Sequence, residues 1–286
     1  MFIGTEELTH IYSPGTPFAC ESLQRVSFGL EKGEAALLIG PSGSGKTTLI
    51  QHLNGLLKPD AGRVIFDGKP LEAGDQSLAN LRKRIGLVFQ MPEELFFSES
   101  VFDEIAFAPR NLGLSETDVQ KRVLGALAKV GLEAGKFLTR HPFHLSSGQK
   151  RLVAIAAVLA LEPELLILDE PLAGLDYAGQ NNLIALMKKL KEEEHLTLII
   201  STHHLEEIAA LAEKVVVLYR GKLIFYGNTE QILCDKRQEL IDIGLALPEI
   251  TEIIHQLQAA GLPLSTCCYS LAAARQEISK LKEYIR

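Results

Sequence analysis

Long hydrophobic runs are missing from this 286-residue chain. The longest uninterrupted apolar stretch, residues 152–161, has ten residues, whereas a helix needs about 20 to cross a bilayer. The opening Met1-Phe2-Ile3-Gly4-Thr5-Glu6-Glu7 carries no signal-peptide pattern, so a cytoplasmic product is expected. A basic surplus is absent too. With a formal net charge of −7 the chain is expected to bind no nucleic acid and to have no electrostatic grip on anionic lipid. Any attachment to a membrane should therefore run through another protein. Cysteines are few: Cys20, Cys234, Cys267 and Cys268 lack metal-type spacing and read as reduced thiols, with Cys267-Cys268 packing in a helical tail rather than forming a vicinal disulfide. The pairs His203-His204 and His141-x-x-His144 look like metal ligands, but His141 precedes Pro142 in a loop and His203 fits another role.

What is present is a series of short motifs. Gly40-Pro41-Ser42-Gly43-Ser44-Gly45-Lys46-Thr47 matches the phosphate-loop pattern G-x-x-x-x-G-K-[ST]. Ala35-Ala36-Leu37-Leu38-Ile39 before it reads as a buried strand, and Thr47-Thr48-Leu49-Ile50-Gln51-His52-Leu53 as the first turns of a helix. Glycines let the backbone curl so that successive N–H groups face the phosphates, and the helix N-terminus adds partial positive charge. ATP is thus expected against Ser42, Gly43, Ser44, Gly45, Lys46, Thr47 and Thr48. Lys46 should reach the β- and γ-phosphates, and the Thr47 hydroxyl should ligate Mg²⁺.

The other half of a metal site follows Leu165-Leu166-Ile167-Leu168. This apolar run predicts a buried strand whose C-terminal end carries Asp169, the position where open parallel sheets bind ligands. Asp169 is expected to hold Mg²⁺, directly or through water. Glu170, one residue on, is placed to polarise the attacking water as a general base.

Leu145-Ser146-Ser147-Gly148-Gln149, twenty residues before Asp169, resembles the signature motif of ATP-binding-cassette (ABC) ATPases. Gln90 after the strand Ile85-Gly86-Leu87-Val88-Phe89 resembles that family's Q-loop glutamine, Ala173-Gly174-Leu175-Asp176 its D-loop, and His203 its switch histidine. Tyr12 stands where the family often keeps a ring that stacks on adenine. The resemblance covers about residues 1–230. It implies a head-to-tail dimer with a second ABC ATPase, identical or paralogous. Each ATP would then lie between the phosphate loop of one subunit and Ser146, Gly148 and Gln149 of the other. Gln90 joins Thr47 and Asp169 in the Mg²⁺ shell, Glu170 activates water and His203 positions the γ-phosphate. Ser147 departs from the usual glycine, adding a Cβ and a hydroxyl beside the partner's nucleotide.

A narrower resemblance lies beyond Gln90. Phe89-Gln90-Met91-Pro92-Glu93-Glu94-Leu95-Phe96, then Val101-Phe102-Asp103-Glu104-Ile105-Ala106-Phe107 and Pro109-Arg110-Asn111-Leu112-Gly113, is similar to the ATPases of energy-coupling-factor (ECF) transporters. So are Tyr12-Ser13-Pro14-Gly15-Thr16-Pro17-Phe18 and Ile243-Gly244-Leu245-Ala246-Leu247-Pro248. That branch imports vitamins or cobalt and nickel ions. Membership implies a peripheral place on the cytoplasmic face of the membrane, beneath a membrane scaffold protein and alongside a membrane substrate-binding protein. The scaffold's helices present arginine, for which Glu93 and Glu94 are candidate bidentate acceptors; an acidic first helical turn favoured by the helix dipole is the competing explanation.

The expected architecture is α/β: a P-loop NTPase of the ABC type with an N-terminal antiparallel β part, an inserted helical subdomain and a small, mainly helical C-terminal domain. Residues 1–228 form the ATPase domain, with the helical subdomain at about 93–161. A strand at residues 63–68 and a hairpin over 215–226, turning at Arg220-Gly221, belong to it. Residues 229–286 read as helices broken at Gly244, Pro248 and Gly261-Leu262-Pro263. Ile250, Ile253, Ile254 and Leu257 recur there at helical spacing, for packing and, on the resemblance, for dimerisation. Two rivals stand beside the ECF importer: the ATPase of a conventional ABC importer, disfavoured by the segment 91–96 and the lack of a long C-terminal β-domain, and a soluble ABC ATPase outside transport.

Overall fold

The computed structural model describes residues 1–71, 75–203, 205–206, 208–264 and 268–284. Strands and helices follow in the order β1 (Ile3–Tyr12), β2 (Cys20–Leu30), β3 (Ala35–Ile39), α1 (Lys46–Leu53), β4 (Ala61–Phe66), β5 (Lys69–Pro70), α2 (Asp75–Arg84) and β6 (Ile85–Val88). Next come α3 (Val101–Asn111), α4 (Glu116–Lys129), α5 (Ala134–Phe137), α6 (Ser147–Leu159), β7 (Leu165–Asp169), α7 (Tyr177–Glu192) and β8 (Thr197–Ser201). The chain ends with β9 (Lys214–Tyr219), β10 (Lys222–Asn228), α8 (Thr229–Asp235), α9 (Arg237–Asp242), α10 (Glu249–Ala259) and α11 (Leu271–Tyr284). It divides into two compact units, one of residues 1–49, 59–70 and 201–286, the other of 50–58 and 71–200.

In the first unit, β2-β1-β4-β5 form an antiparallel sheet. Ile3 stands opposite Leu30 on one side and Phe66 on the other, which buries Ile3, Leu30 and Phe66 together. β3 is buried at all positions, as a continuous apolar run requires when both faces are covered. It pairs in parallel with β9, and β9 continues antiparallel into β10. Arg220 and Gly221 both take left-handed backbone (φ 49 and 78), the geometry that lets a two-residue loop follow the twist of the expected hairpin. Beyond it, Ile254 is buried with Cys268 and Ala274, while Ile250 packs at the margin. Ile253, on the same helix, is exposed. Of the cysteines, Cys20 and Cys268 are free, but Cys234 is disulfide-bonded, which corrects the expectation of reduced thiols throughout. Spacing along a chain does not report which thiols a fold brings within bonding reach. Cys267 lies outside the described residues, as does His204 of the His203-His204 pair.

The second unit carries β8, β7 and β6 as sheet neighbours, with β6 and β7 parallel from Ile85 opposite Leu165 to Val88 opposite Leu168. Helices α3, α4 and α6 pack on one another, and Val101, Ile105, Val119, Val123, Val153 and Ile155 on them are buried. Ser100 caps α3 by accepting the Asp103 N–H, and Ser115 caps α4 by accepting the Asp118 N–H, so both helices begin where an orphan donor finds a hydroxyl. Arg110 then ties α3 to α4, donating to Asp103 and in a fork to Glu116 at 2.9 and 3.1 Å. Among the described residues no helix is long and apolar enough to cross a membrane.

Candidate functional site

The first unit holds the phosphate loop. It turns between β3 and α1 with Gly43 and Gly45 in left-handed backbone (φ 75 and 106). At Gly45 a Cβ would stand 2.7 Å from the Ser22 carbonyl oxygen, so glycine is required by space as well as by conformation. Lys46, only 8 % exposed, folds back along the loop: its ammonium donates to the carbonyls of Gly40 (2.6 Å) and Pro41 (3.2 Å) and lies 3.4 Å from His203 Nε2. His203 follows Thr202, whose N–H donates to Leu38 O at 3.3 Å, and that bond fixes the histidine's approach to the loop. Ser42, Gly43 and Thr47 are exposed; Ser44 and Thr48 are buried. Left-handed glycines, a partly enclosed ammonium and a helix beginning at Lys46 make a donor set suited to a polyphosphate.

Tyr12 and Thr48 are brought together. The Tyr12 hydroxyl is 3.2 Å from Thr48 Oγ1, which is 2.8 Å from Ser22 Oγ. The Tyr12 ring meets His10 edge-on with centroids 4.6 Å apart, and His10 Nδ1 lies 2.9 Å from Asp60. Ser22 and His10 were not singled out from sequence, because only β1–β2 pairing places them here.

The second unit carries Gln90, Asp169, Glu170 and the signature residues. Asp169 ends the buried β7, and Glu170 is 8 % exposed with φ 47. Its carbonyl accepts the Ala173 N–H at 3.1 Å, closing a turn that leads to Asp176, the cap of α7. Ser146 caps α6 in a reciprocal box: its hydroxyl accepts the Gln149 N–H at 3.3 Å while Gln149 Oε1 accepts the Ser146 N–H at 3.1 Å. That exchange occupies the Ser146 and Gln149 N–H groups within the first turn of α6. Ser147 is exposed at the first turn of α6, and a Cβ built on Gly148 meets nothing within 4 Å, so this surface has room for a ligand.

After Gln90, Pro92–Leu95 form a single 3-10 turn. Glu94 is exposed beside Met91, Leu95 and Phe97. Glu93 instead turns inward, 3.8 Å from the buried Arg151 guanidinium. Of the two candidate docking carboxylates, Glu94 alone faces out. Arg151 was not singled out from sequence, and nothing in its local pattern marks it.

Comparison with known proteins fits this geometry. The ABC transporter family model matches residues 23–173. The energy-coupling factor transporter ATP-binding protein EcfA2 of Clostridium acetobutylicum is 44% identical over 283 residues, 99% of each chain. EcfA2 of Clostridioides difficile is 43% identical over 281 residues, 98% of each. Among solved structures, cbiO1 from Clostridium perfringens, part of the ABC transporter complex cbiONQ, is 37% identical with a TM-score of 0.75 over 89% of this chain and 98% of that one. The dimeric cassette MJ0796 bound to ADP and Pi is 29% identical with a TM-score of 0.71, covering 80% of this chain and 99% of its own. Likeness that runs through cassette and tail alike makes this chain a member of the ABC ATPases, and within them of the energy-coupling factor transporter ATP-binding proteins, the ATP-hydrolysing subunits of ECF importers.

Proposed function

We propose that the chain drives uptake of a vitamin or a transition-metal ion by ATP-fuelled closing and opening of a head-to-tail dimer at the cytoplasmic face of the membrane. The observation that carries this reading is near-full-length similarity to ECF ATP-binding proteins, joined to an outward Glu94 amid exposed apolar side chains. The second ATPase is identical or paralogous, and a membrane scaffold protein and a membrane substrate-binding protein complete the assembly. The dimeric solved relative supports the pairing. The working domains are 1–228, with a helical subdomain at about 93–161, and 229–286.

On this reading Lys46 and the loop N–H groups of residues 42–48 hold the phosphates, and Tyr12 borders the base. Thr47, Gln90 and Asp169 offer oxygen donors alone, the set a hard cation prefers. Mg²⁺, when bound, withdraws charge from the β- and γ-phosphoryl oxygens. Glu170 takes a proton from the attacking water, and His203 orients the γ-phosphate. Ser146, Gly148 and Gln149 present the α6 N-terminus to the partner's ATP, so nucleotide binds the subunits together and hydrolysis releases them.

Isolation of the tagged chain from its native membranes in mild detergent tests the reading. A polytopic scaffold with a small membrane-embedded binder is expected; soluble partners alone would move the function out of transport. Two further results are expected. Glu94→Ala weakens scaffold capture by about tenfold, the worth of one charge-assisted contact. Glu93→Ala chiefly lowers stability, by about 1–3 kcal/mol, because Arg151 loses its counter-charge; equal loss of capture in both variants would refute this division. Deletion after Asn228 weakens the nucleotide-free dimer while leaving ATP affinity intact, and sedimentation without ATP reads the difference.

A further inference from the structure

One buried cation has no place in the scheme above. Arg151 lies one turn into α6 and is 3 % exposed. A guanidinium withdrawn from water is expensive unless its donors and charge are met, and an apolar side chain in its place is often as stable or more so. Its contacts are specific. Nη1 donates to the Gln90 carbonyl at 2.8 Å and Nη2 to the Ala173 carbonyl at 3.2 Å. Ala173 in turn donates its N–H to the carbonyl of Glu170. A single planar fork thus joins the signature helix, the glutamine expected in the Mg²⁺ shell and the turn that carries the expected base.

The charge is only partly met. Glu93 Oε1 lies 3.8 Å from Nη2, beyond a hydrogen bond. Arg151 Nε and Glu93 Oε2 are buried without hydrogen-bond partners. Desolvation outweighs the attraction of Glu93 and holds the guanidinium pKa below its ordinary value, yet arginine stays charged at working pH. An approach of about 1 Å by the turn bearing Glu93 would bring its carboxylate within hydrogen-bond distance of the fork.

We propose that Arg151 is a positioning residue: it holds the Gln90 backbone and the Glu170–Ala173 turn in register with the signature helix, and Glu93 sets its grip. The inference rests on the hydrolytic roles proposed for Gln90 and Glu170. It predicts an effect on turnover rather than on nucleotide binding, since the phosphate loop makes none of these bonds.

The test measures kcat and KM for ATP, nucleotide affinity and Tm, using the full chain with its co-purifying subunits. Arg151→Met is expected to lower kcat by about 30- to 100-fold, as small misplacements at a reacting centre do, with KM and affinity within about threefold of wild type. Arg151→Lys, a point charge without the fork, should recover little of the loss. Arg151→Met/Glu93→Leu removes cation and carboxylate together; it should melt near wild type and remain slow. A wild-type kcat in either Met-bearing variant, or a loss of affinity equal to the loss of kcat, would overturn the proposal. Glu170→Gln, run in parallel, checks the underlying reading separately: fast turnover there removes the base assignment whatever Arg151 does.

Discussion

Glu170→Gln is expected to hydrolyse ATP about 100- to 1,000-fold more slowly than wild type, to keep its nucleotide and to remain dimeric while it does so. Glutamine matches glutamate in shape, so the turn closed by the Ala173 N–H on the residue-170 carbonyl survives. What is lost is an acceptor that can carry away a proton. Glu170 is nearly buried at the end of β7 with a left-handed backbone, and a non-glycine residue is held there only when its surroundings fix it. The turn thus aims the side chain, and the substitution removes chemistry without aim. Single-turnover hydrolysis and light scattering in ATP would read both halves of the result; rapid turnover would remove the base role.

Lys46→Ala should fail at the earlier step. The ammonium is bonded into the loop, spanning the carbonyls of Gly40 and Pro41, and charge-assisted bonds to phosphate are the strong ones. Its removal is expected to weaken ATP binding by about 100-fold, or ~2.7 kcal/mol, measured by equilibrium titration. The variant should be monomeric in ATP at concentrations where Glu170→Gln is a closed dimer. An unchanged Kd would show that backbone donors and Mg²⁺ suffice and would shift Lys46 to a role in shaping the loop.

The parts legible in the sequence were those encoded contiguously. The phosphate loop between an all-apolar strand and a helix, Asp169 at the end of four apolar residues and the hairpin at Arg220-Gly221 each draw strand, turn and chemistry from neighbouring residues. What stayed hidden depends on partners far along the chain. The Arg151 fork needs carbonyls 61 and 22 residues away, and the Tyr12–Thr48–Ser22 hydroxyls come from three elements. Glu93 and Glu94 are neighbours of the same type, yet a 3-10 turn sends one inward and one outward. Helical spacing grouped Ile253 with Ile254, but a small tail covers too narrow an arc to bury both.

The support beneath Gly45 has a temporal consequence. Gly221, at the β9–β10 turn, donates its N–H to the Ser44 carbonyl and accepts from the Gln24 N–H, and a Cβ added there would stand 2.8 Å from the Ser22 carbonyl oxygen, as one on Gly45 would at 2.7 Å. During synthesis the loop motif leaves the ribosome some 175 residues before this buttress, at the average pace of about 5–20 residues per second. For that interval of roughly ten seconds or more the nascent chain carries a legible nucleotide-binding motif without the seat that shapes it. Until the hairpin has been made, the Ser44 carbonyl lacks the Gly221 N–H that it accepts in the finished fold.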